Sequence, residues 1–257
     1  MNLVMGGSFE GFYWESGVLE FITKKEKDLN LYTSGLGSLK GLFYSLHGVN
    51  FFGRLKDFIY EKNNPLGEII TSTELYNSRY AQTTALIRLG RGKMSLYNPD
   101  NLKTFLEDYF GNQTLSSLGK NISFEVFELK SRKAITLKNN TRIVDMLMME
   151  LAFPPYYSYY EYQGGFFIPT SYISFVPQKF PKDAVIISFD PILTYPYPKN
   201  TVEILLKVSY SRTLKNYRLL TEGFNTIEPQ KRLKNYFNMS AFFEGQNQAN
   251  VFLEAKV

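Results

Sequence analysis

The sequence contains no cysteine, a single histidine (His47) and a single tryptophan (Trp14) among its 257 residues. Without cysteine there is no disulfide and no thiolate nucleophile. One histidine cannot build a histidine-rich zinc site, so neither a metal nor another cofactor is expected. Charged residues make up only 21% of the chain, which excludes a charge-dominated disordered tail and a coiled coil. No apolar run approaches the roughly 20 residues that cross a bilayer. The segment from Met1 to Gly7 lacks a basic stretch followed by an apolar one, so no secretory signal is expected. The expected location is cytoplasmic, free or held peripherally at a membrane. The net charge of +5 is modest. Short basic clusters at Lys24, Lys25 and Lys27, and at Lys231, Arg232 and Lys234, read as solvated faces. No helix-turn-helix, zinc spacing or RNA-binding aromatic motif supports a nucleic-acid partner.

What is present is apolar material. Hydrophobic residues reach 44% and aromatics 16%, enough to fill one large core, and a single domain over residues 1–257 is expected. Leu3-Val4-Met5 is a short apolar run closed by Gly6-Gly7. Tyr13 to Ile22 then follows helical spacing. Leu29 to Tyr32 reads as a second strand closed by Gly35 and Gly37, and Leu39 to Leu46 as a second helix. Strand, glycine turn and helix, repeated, mark an α/β fold with a mostly parallel sheet. Farther along, Asn98 to Phe110 carries the marks of a capped helix, with Pro99 in its first turn and Gly111 as its stop. Ile122 to Leu129 alternates as a strand and Ile143 to Leu151 is helical up to Pro154-Pro155. Val185 to Phe189 reads as a buried strand and Val202 to Tyr210 as a helix.

The two glycine loops carry the functional information. Glycine at a strand-to-helix turn lets backbone N–H groups approach an anion, which the helix N-terminus also favours. The first loop, Gly6-Gly7-Ser8-Phe9-Glu10-Gly11, is neither a phosphate-binding Walker loop nor a dinucleotide fingerprint. The second, Ser34-Gly35-Leu36-Gly37-Ser38, stands where a nucleophile elbow would be but lacks Gly-x-Ser-x-Gly.

The order of these motifs resembles the patatin-like phospholipase family over nearly the whole chain. The first loop, with Gly17-Val18-Leu19, resembles that family's Gly-Gly-Gly-x-Arg/Lys-Gly oxyanion loop and first helix. Gly35-Leu36-Gly37-Ser38-Leu39 falls where the family carries Gly-x-Ser-x-Gly. Leu96-Tyr97-Asn98-Pro99 resembles its Leu-Tyr-Asp helix start, and Ala152-Phe153-Pro154-Pro155 its proline segment. Gln163-Gly164-Gly165, leading to Pro169, resembles its Asp-Gly-Gly/Ala. Val185 to Asp190 and Ile227-Glu228-Pro229 resemble its late strands. The resemblance implies a three-layer α/β/α sandwich with a mostly parallel sheet. It also implies hydrolysis of lipid acyl esters by a serine and aspartate pair, with the glycine loop holding the oxyanion.

In this register the serine position is Gly37 and the aspartate position is Gln163, neither of which can do the chemistry. The oxyanion-loop equivalents are Gly6, Gly7, Ser8, Glu10 and Gly11, with Ser8 in place of the third glycine and Glu10 or Gly11 in place of the basic residue. Removing the serine of a serine hydrolase costs about a millionfold in rate, roughly 8 kcal/mol of barrier. A Glu10 carboxylate at about 5 Å from the oxyanion would add up to roughly 3 kcal/mol of repulsion. The expectation is a family member that has lost acyl hydrolase activity and acts by binding. Its target would be a protein, such as an active relative or a second copy of itself, or a lipid surface. The alternative is an active acyl hydrolase using a displaced serine, Ser38 or Ser34. His47 is expected as a surface or a hydrogen-bonded structural residue, because a serine and aspartate pair needs no histidine. The run Tyr156 to Tyr162 is expected to form a hairpin, or else an interface.

Overall fold

The computed structural model describes residues 1–71, 83–84, 87–88, 90–92, 94–119, 121–189, 201–230 and 238–255. Lys231, Arg232, Lys234 and Asp190, singled out above, lie outside them. The fold starts from β1 (Asn2–Met5), whose alternation divides the molecule. Leu3 and Met5 face one large core, while Val4 faces a smaller one with Val176, Ala184, Ile186 and Tyr217. Successive side chains of a strand point to opposite faces, so three residues suffice to seed both layers.

Parallel partners extend β1 on both sides. On one side β2 (Asn30–Thr33) pairs with it, placing Leu31 beside Leu3 and Thr33 beside Met5, and β3 (Ile122–Glu128) follows. On the other side lie β7 (Val185–Ile187) and β8 (Asn225–Ile227), also parallel. β3 runs past the end of β2, and its outer half pairs antiparallel with β4 (Lys133–Thr136) and β6 (Gly165–Pro169); β5 (Tyr160–Tyr162) borders β6. The spatial order is β5-β6-β3-β2-β1-β7-β8 with β4 beside β3. The sheet is therefore mixed, with a parallel centre and an antiparallel flank, and helices cover both faces. The helix expected over Val202–Tyr210 runs on to Thr221, and the strand expected over Val185–Phe189 ends at Ile187.

The large-core face is packed by α1 (Phe12–Lys25), α2 (Leu36–His47), α3 (Phe51–Ile59), α4 (Pro65–Thr71), α5 (Pro99–Phe110), α6 (Ile143–Glu150) and α9 (Met239–Glu254). Two further helices are the short α7 (Ser171–Ser174) and the long α8 (Thr201–Thr221). Local signals explain several ends. Asn98 Oδ1 accepts from Asp100 N at 3.0 Å and caps α5 behind Pro99. Gly111, at φ +56°, stops it. Asn238 Oδ1 caps α9 by accepting from Ala241 N.

Helices α1 and α9 meet backbone to backbone. A Cβ on Gly17 would stand 2.0 Å from Phe242 O, and one on Gly245 would stand 2.1 Å from Trp14 O. Such a crossing leaves no room for a methyl group, and overfilling a packed contact of this kind costs roughly 1–3 kcal/mol. Gly245→Ala should therefore lower the unfolding free energy read from urea titration by that amount. Gly53→Ala, in α3 where nothing lies within 4 Å of the new Cβ, should raise it by up to about 1 kcal/mol. Equal effects at the two positions would contradict the close crossing.

Candidate active-site turn

Adjacent parallel strands β1 and β2 end in the two glycine loops, so both loops emerge at the carboxyl edge of the sheet. Ligand sites of open α/β sheets form at that edge. The chain leaves β2 through Thr33, Ser34 and Gly35 and enters α2 at Leu36. Gly35 has φ +62° and ψ −134°, a conformation that L side chains rarely adopt. A strained strand-to-helix turn of this sort is what a nucleophile elbow uses to lift its serine clear of the sheet. The tip of the turn is thus Gly35. Gly37, the residue expected there, sits two positions later, inside the first turn of α2, where its N–H donates to Gly6 O at 2.9 Å. The register of the sequence reading is shifted by two.

The space above Gly35 is filled. A Cβ built on it would lie 2.3 Å from Ser171 Oγ, 2.8 Å from Phe153 Cζ and 3.1 Å from Gly6 O. Ser171 opens α7 directly beyond β6, and its N–H donates to Ser34 Oγ at 3.0 Å. Phe153 packs edge-on against Phe9 of the first loop, with ring centroids 5.1 Å apart, and Phe9 also touches Tyr156 at 5.5 Å.

Gln163, the expected aspartate position, lies at the other end of β6. It is exposed in the β5–β6 hairpin turn at φ +50°, followed by Gly164 at φ +77°, and its Nε2 donates to Tyr162 OH at 3.1 Å. The five residues of β6 alone separate the hairpin from Ser171 by roughly 16 Å. The residue facing the turn is Ser171, and the apparent Asp-Gly-Gly match at Gln163 is a hairpin turn.

Below the turn lies a carboxyl group that the sequence reading missed. Glu150, the last residue of α6, is fully buried. Its Oε2 accepts from Gly35 N at 2.6 Å and Ser34 Oγ at 3.1 Å, and its Oε1 accepts from Ser38 Oγ at 2.8 Å. Burial pushes its pKa up to about 8, against the pull of these three donors, and nearby Glu125 adds to the rise. Glu125 is itself buried and raised by that burial, with Gln178 N donating to it at 2.5 Å. Both fallback nucleophiles, Ser34 and Ser38, therefore do touch a carboxyl group. Both are fully buried beneath the turn, and the carboxyl is mostly protonated at neutral pH. The one available signal was an acid at the end of the otherwise apolar stretch Met146 to Leu151, in a run that also carries Asp145.

The first loop is tied down in a similar way. A Cβ on Gly7, at φ +76°, would lie 2.4 Å from Gly37 N, so the loop presses against the start of α2. Ser8 N donates to both carboxylate oxygens of Glu15 at 3.2 Å, and Gly11 N donates to Ser8 Oγ at 2.8 Å. Glu15 in α1 forms a buried ion pair with Lys40 in α2, and the Lys40 ammonium also lies 5.0 Å from the Phe12 ring centre. Burial lowers the Lys40 pKa, and Glu15 opposes that shift. Burial raises Glu10 to about 7, so the loop's acid is only partly charged at neutral pH. His47 ends α2 in an exposed position, its ring 5.6 Å from Phe43. Tyr156 and Tyr157 are buried against Tyr97, and only Tyr160 to Tyr162 join a hairpin. Among the described residues no group of three or more His, Cys, Asp or Glu side chains is placed to hold a metal.

A mixed α/β sheet with an elbow-like turn and a glycine loop on adjacent strand ends is the architecture that the order of sequence motifs implied. Residues 3–179 match the family model of the patatin-like phospholipases, and the chain belongs to that family. No curated protein matches its sequence. Among solved structures, 99% of the chain superposes on 66% of VipD from Legionella pneumophila, with a TM-score of 0.53 and 10% identity. It also covers 51% of a chain from the heterodimeric ExoU–SpcU complex of the Pseudomonas aeruginosa type III secretion system, with a TM-score of 0.46 and 11% identity. The chain thus spans about two thirds and about half of these proteins. At 10% identity the likeness to VipD is one of fold.

The Glu150 environment has a definite pH signature. Its folded pKa of about 8 stands above the ordinary 4.5, so between those values the folded chain keeps a proton that the unfolded chain has lost. Stability must then fall as pH rises through that window, at most by about 1.4 kcal/mol per pH unit from this group. Glu10 contributes with the same sign up to about pH 7. Glu150→Gln mimics the protonated acid and should flatten the decline of the urea midpoint between about pH 5 and about pH 8. An unchanged slope would show that Glu150 is charged in the folded state.

Proposed function

We propose that this patatin-like chain has lost acyl hydrolase activity and acts by binding, with a protein partner or a lipid surface as its target. The observation that carries the proposal is the filled turn. The residue at its tip is Gly35, and Ser171 and Phe153 occupy the space a nucleophilic side chain would need. With no hydroxyl at the tip, the loss is of the order of a millionfold in rate, which the remaining loop contacts cannot offset. The engagement of Ser8 N–H by Glu15 supports the same reading, since that donor is unavailable to a developing oxyanion. We take the chain as one domain over residues 1–257, because β7 and β8 join the same sheet beyond the family match. In this role it works in the cytoplasm and meets membranes only from their surface. No described helix is long and apolar enough to cross one.

A second reading is favoured by one observation, the contacts of Ser38 Oγ and Ser34 Oγ with Glu150 at 2.8 and 3.1 Å. A displaced nucleophile would use Glu150 as its base, and its activity would climb as the pH rises through about 8.

A fluorophosphonate probe and a short-chain ester separate the two. The filled turn predicts no labelling and no turnover above buffer. It also predicts that Gly35→Ser is destabilised by a few kcal/mol and stays inactive, because its side chain meets Ser171 and Phe153. Labelling that disappears in Ser38→Ala or Ser34→Ala, with turnover rising through pH 8, would establish the hydrolase instead.

A further inference from the structure

Helix α8 buries one side and leaves the other bare. Thr213, Tyr217 and Thr221 are buried, and Tyr217 OH donates to Glu228 Oε1 at 3.0 Å beside β8. On the far side Ile204, Leu205, Val208 and Leu219 are exposed, Leu205 at 64% and Leu219 at 66%. At about 3.6 residues per turn these four share a face with Arg212 and Lys215, flanked by Lys207 and Arg218. The helix sequence sets those four cations against a single acid, Glu203. A groove of about 460 Å³ runs along it, with Lys207, Tyr210, Ser211, Lys215, Arg218 and Leu219 among its lining residues.

We propose that this face of α8 is a docking surface for anionic membrane lipid, with its apolar side chains at the acyl boundary and its cations on the headgroup phosphates. The inference rests on the reading that the chain acts by binding, and it narrows the target to a lipid surface. Charge selects the occupant. A second copy of the chain would bring like charges together. A protein interface gathers apolar residues at a centre depleted of charge, with the polar groups at its rim. Here one exposed face carries both apolar side chains and cations, and apolar burial together with attraction to anionic lipid is what holds a helix at a membrane interface. Long lysine and arginine stems can lie along the acyl boundary while their charged ends stay with the phosphates.

Co-sedimentation of the full chain with vesicles tests this, using phosphatidylcholine alone and phosphatidylcholine with about 30% phosphatidylserine. Binding is expected to the mixed vesicles only and should weaken as salt is raised. Arg212→Glu with Lys215→Glu should reduce the partition coefficient at least tenfold. Leu205→Ser with Leu219→Ser should reduce it severalfold, and Lys207→Gln with Arg218→Gln about as much. All six positions are exposed or lie along the groove, so unchanged thermal melting is expected and checks the fold. Equal binding to neutral vesicles, no binding to anionic ones, or an undiminished partition after charge reversal would overturn the proposal. Capture of an acidic protein through α8 without vesicle binding would overturn it as well. None of these outcomes depends on hydrolysis, so the proposal can fail while the inactive-turn reading stands, and the reverse.

Discussion

The buried carboxyl group of Glu150 holds the β2–α2 turn from below. It receives Gly35 N–H and the Ser34 and Ser38 hydroxyls, and so ties α6 to the end of β2 and the start of α2. Removed from water, it stays protonated near neutrality, which lets it lie fully buried without a cationic partner. Ser34 passes the connection on to Ser171 N and hence to the end of β6. The parallel centre of the sheet and its antiparallel flank are thereby joined at the place where related folds do their chemistry.

Above that anchor the glycines set the geometry. Gly6 packs against Phe175 O, Gly7 against the start of α2, and Gly35 against Ser171. Each approach is closer than a Cβ would permit. Both loops are therefore closely packed. The N–H groups that could hold an anion are drawn into internal bonds, Ser8 N to Glu15 and Gly35 N to Glu150. The same architecture that exposes a nucleophile in an acyl hydrolase here closes over a position with no side chain. The chain keeps the family's frame.

Much of this was legible beforehand. Asn98, Pro99 and Gly111 marked both ends of α5, and the alternation from Ile122 marked β3. The repeated strand, glycine and helix pattern marked the parallel centre. The succession of short motifs pointed to the patatin-like family, which the match over residues 3–179 bears out. The turn's register was misread. Gln163-Gly164-Gly165 looked like Asp-Gly-Gly because both patterns need glycine's freedom. Here that freedom serves a two-residue hairpin with both residues at positive φ.

The amino-acid pattern by itself determined the elements, since spacing, caps and stops act within a few residues of one another. It left the residue at the turn's tip open between Gly37 and a displaced Ser38 or Ser34. Only the tertiary structure decided that the tip is Gly35 and that Ser171 closes over it. It alone showed that Glu150 lies beneath and that α8 turns a basic, apolar face outward. Those outcomes depend on which strands pair and in what register. β3 outruns β2, so β6 returns antiparallel along the excess and delivers its carboxyl end, with Ser171, to the turn while its hairpin points away. Contacts between residues 34 and 171, or 35 and 150, are made by sheet pairing and helix packing across more than a hundred residues, and no local periodicity encodes them.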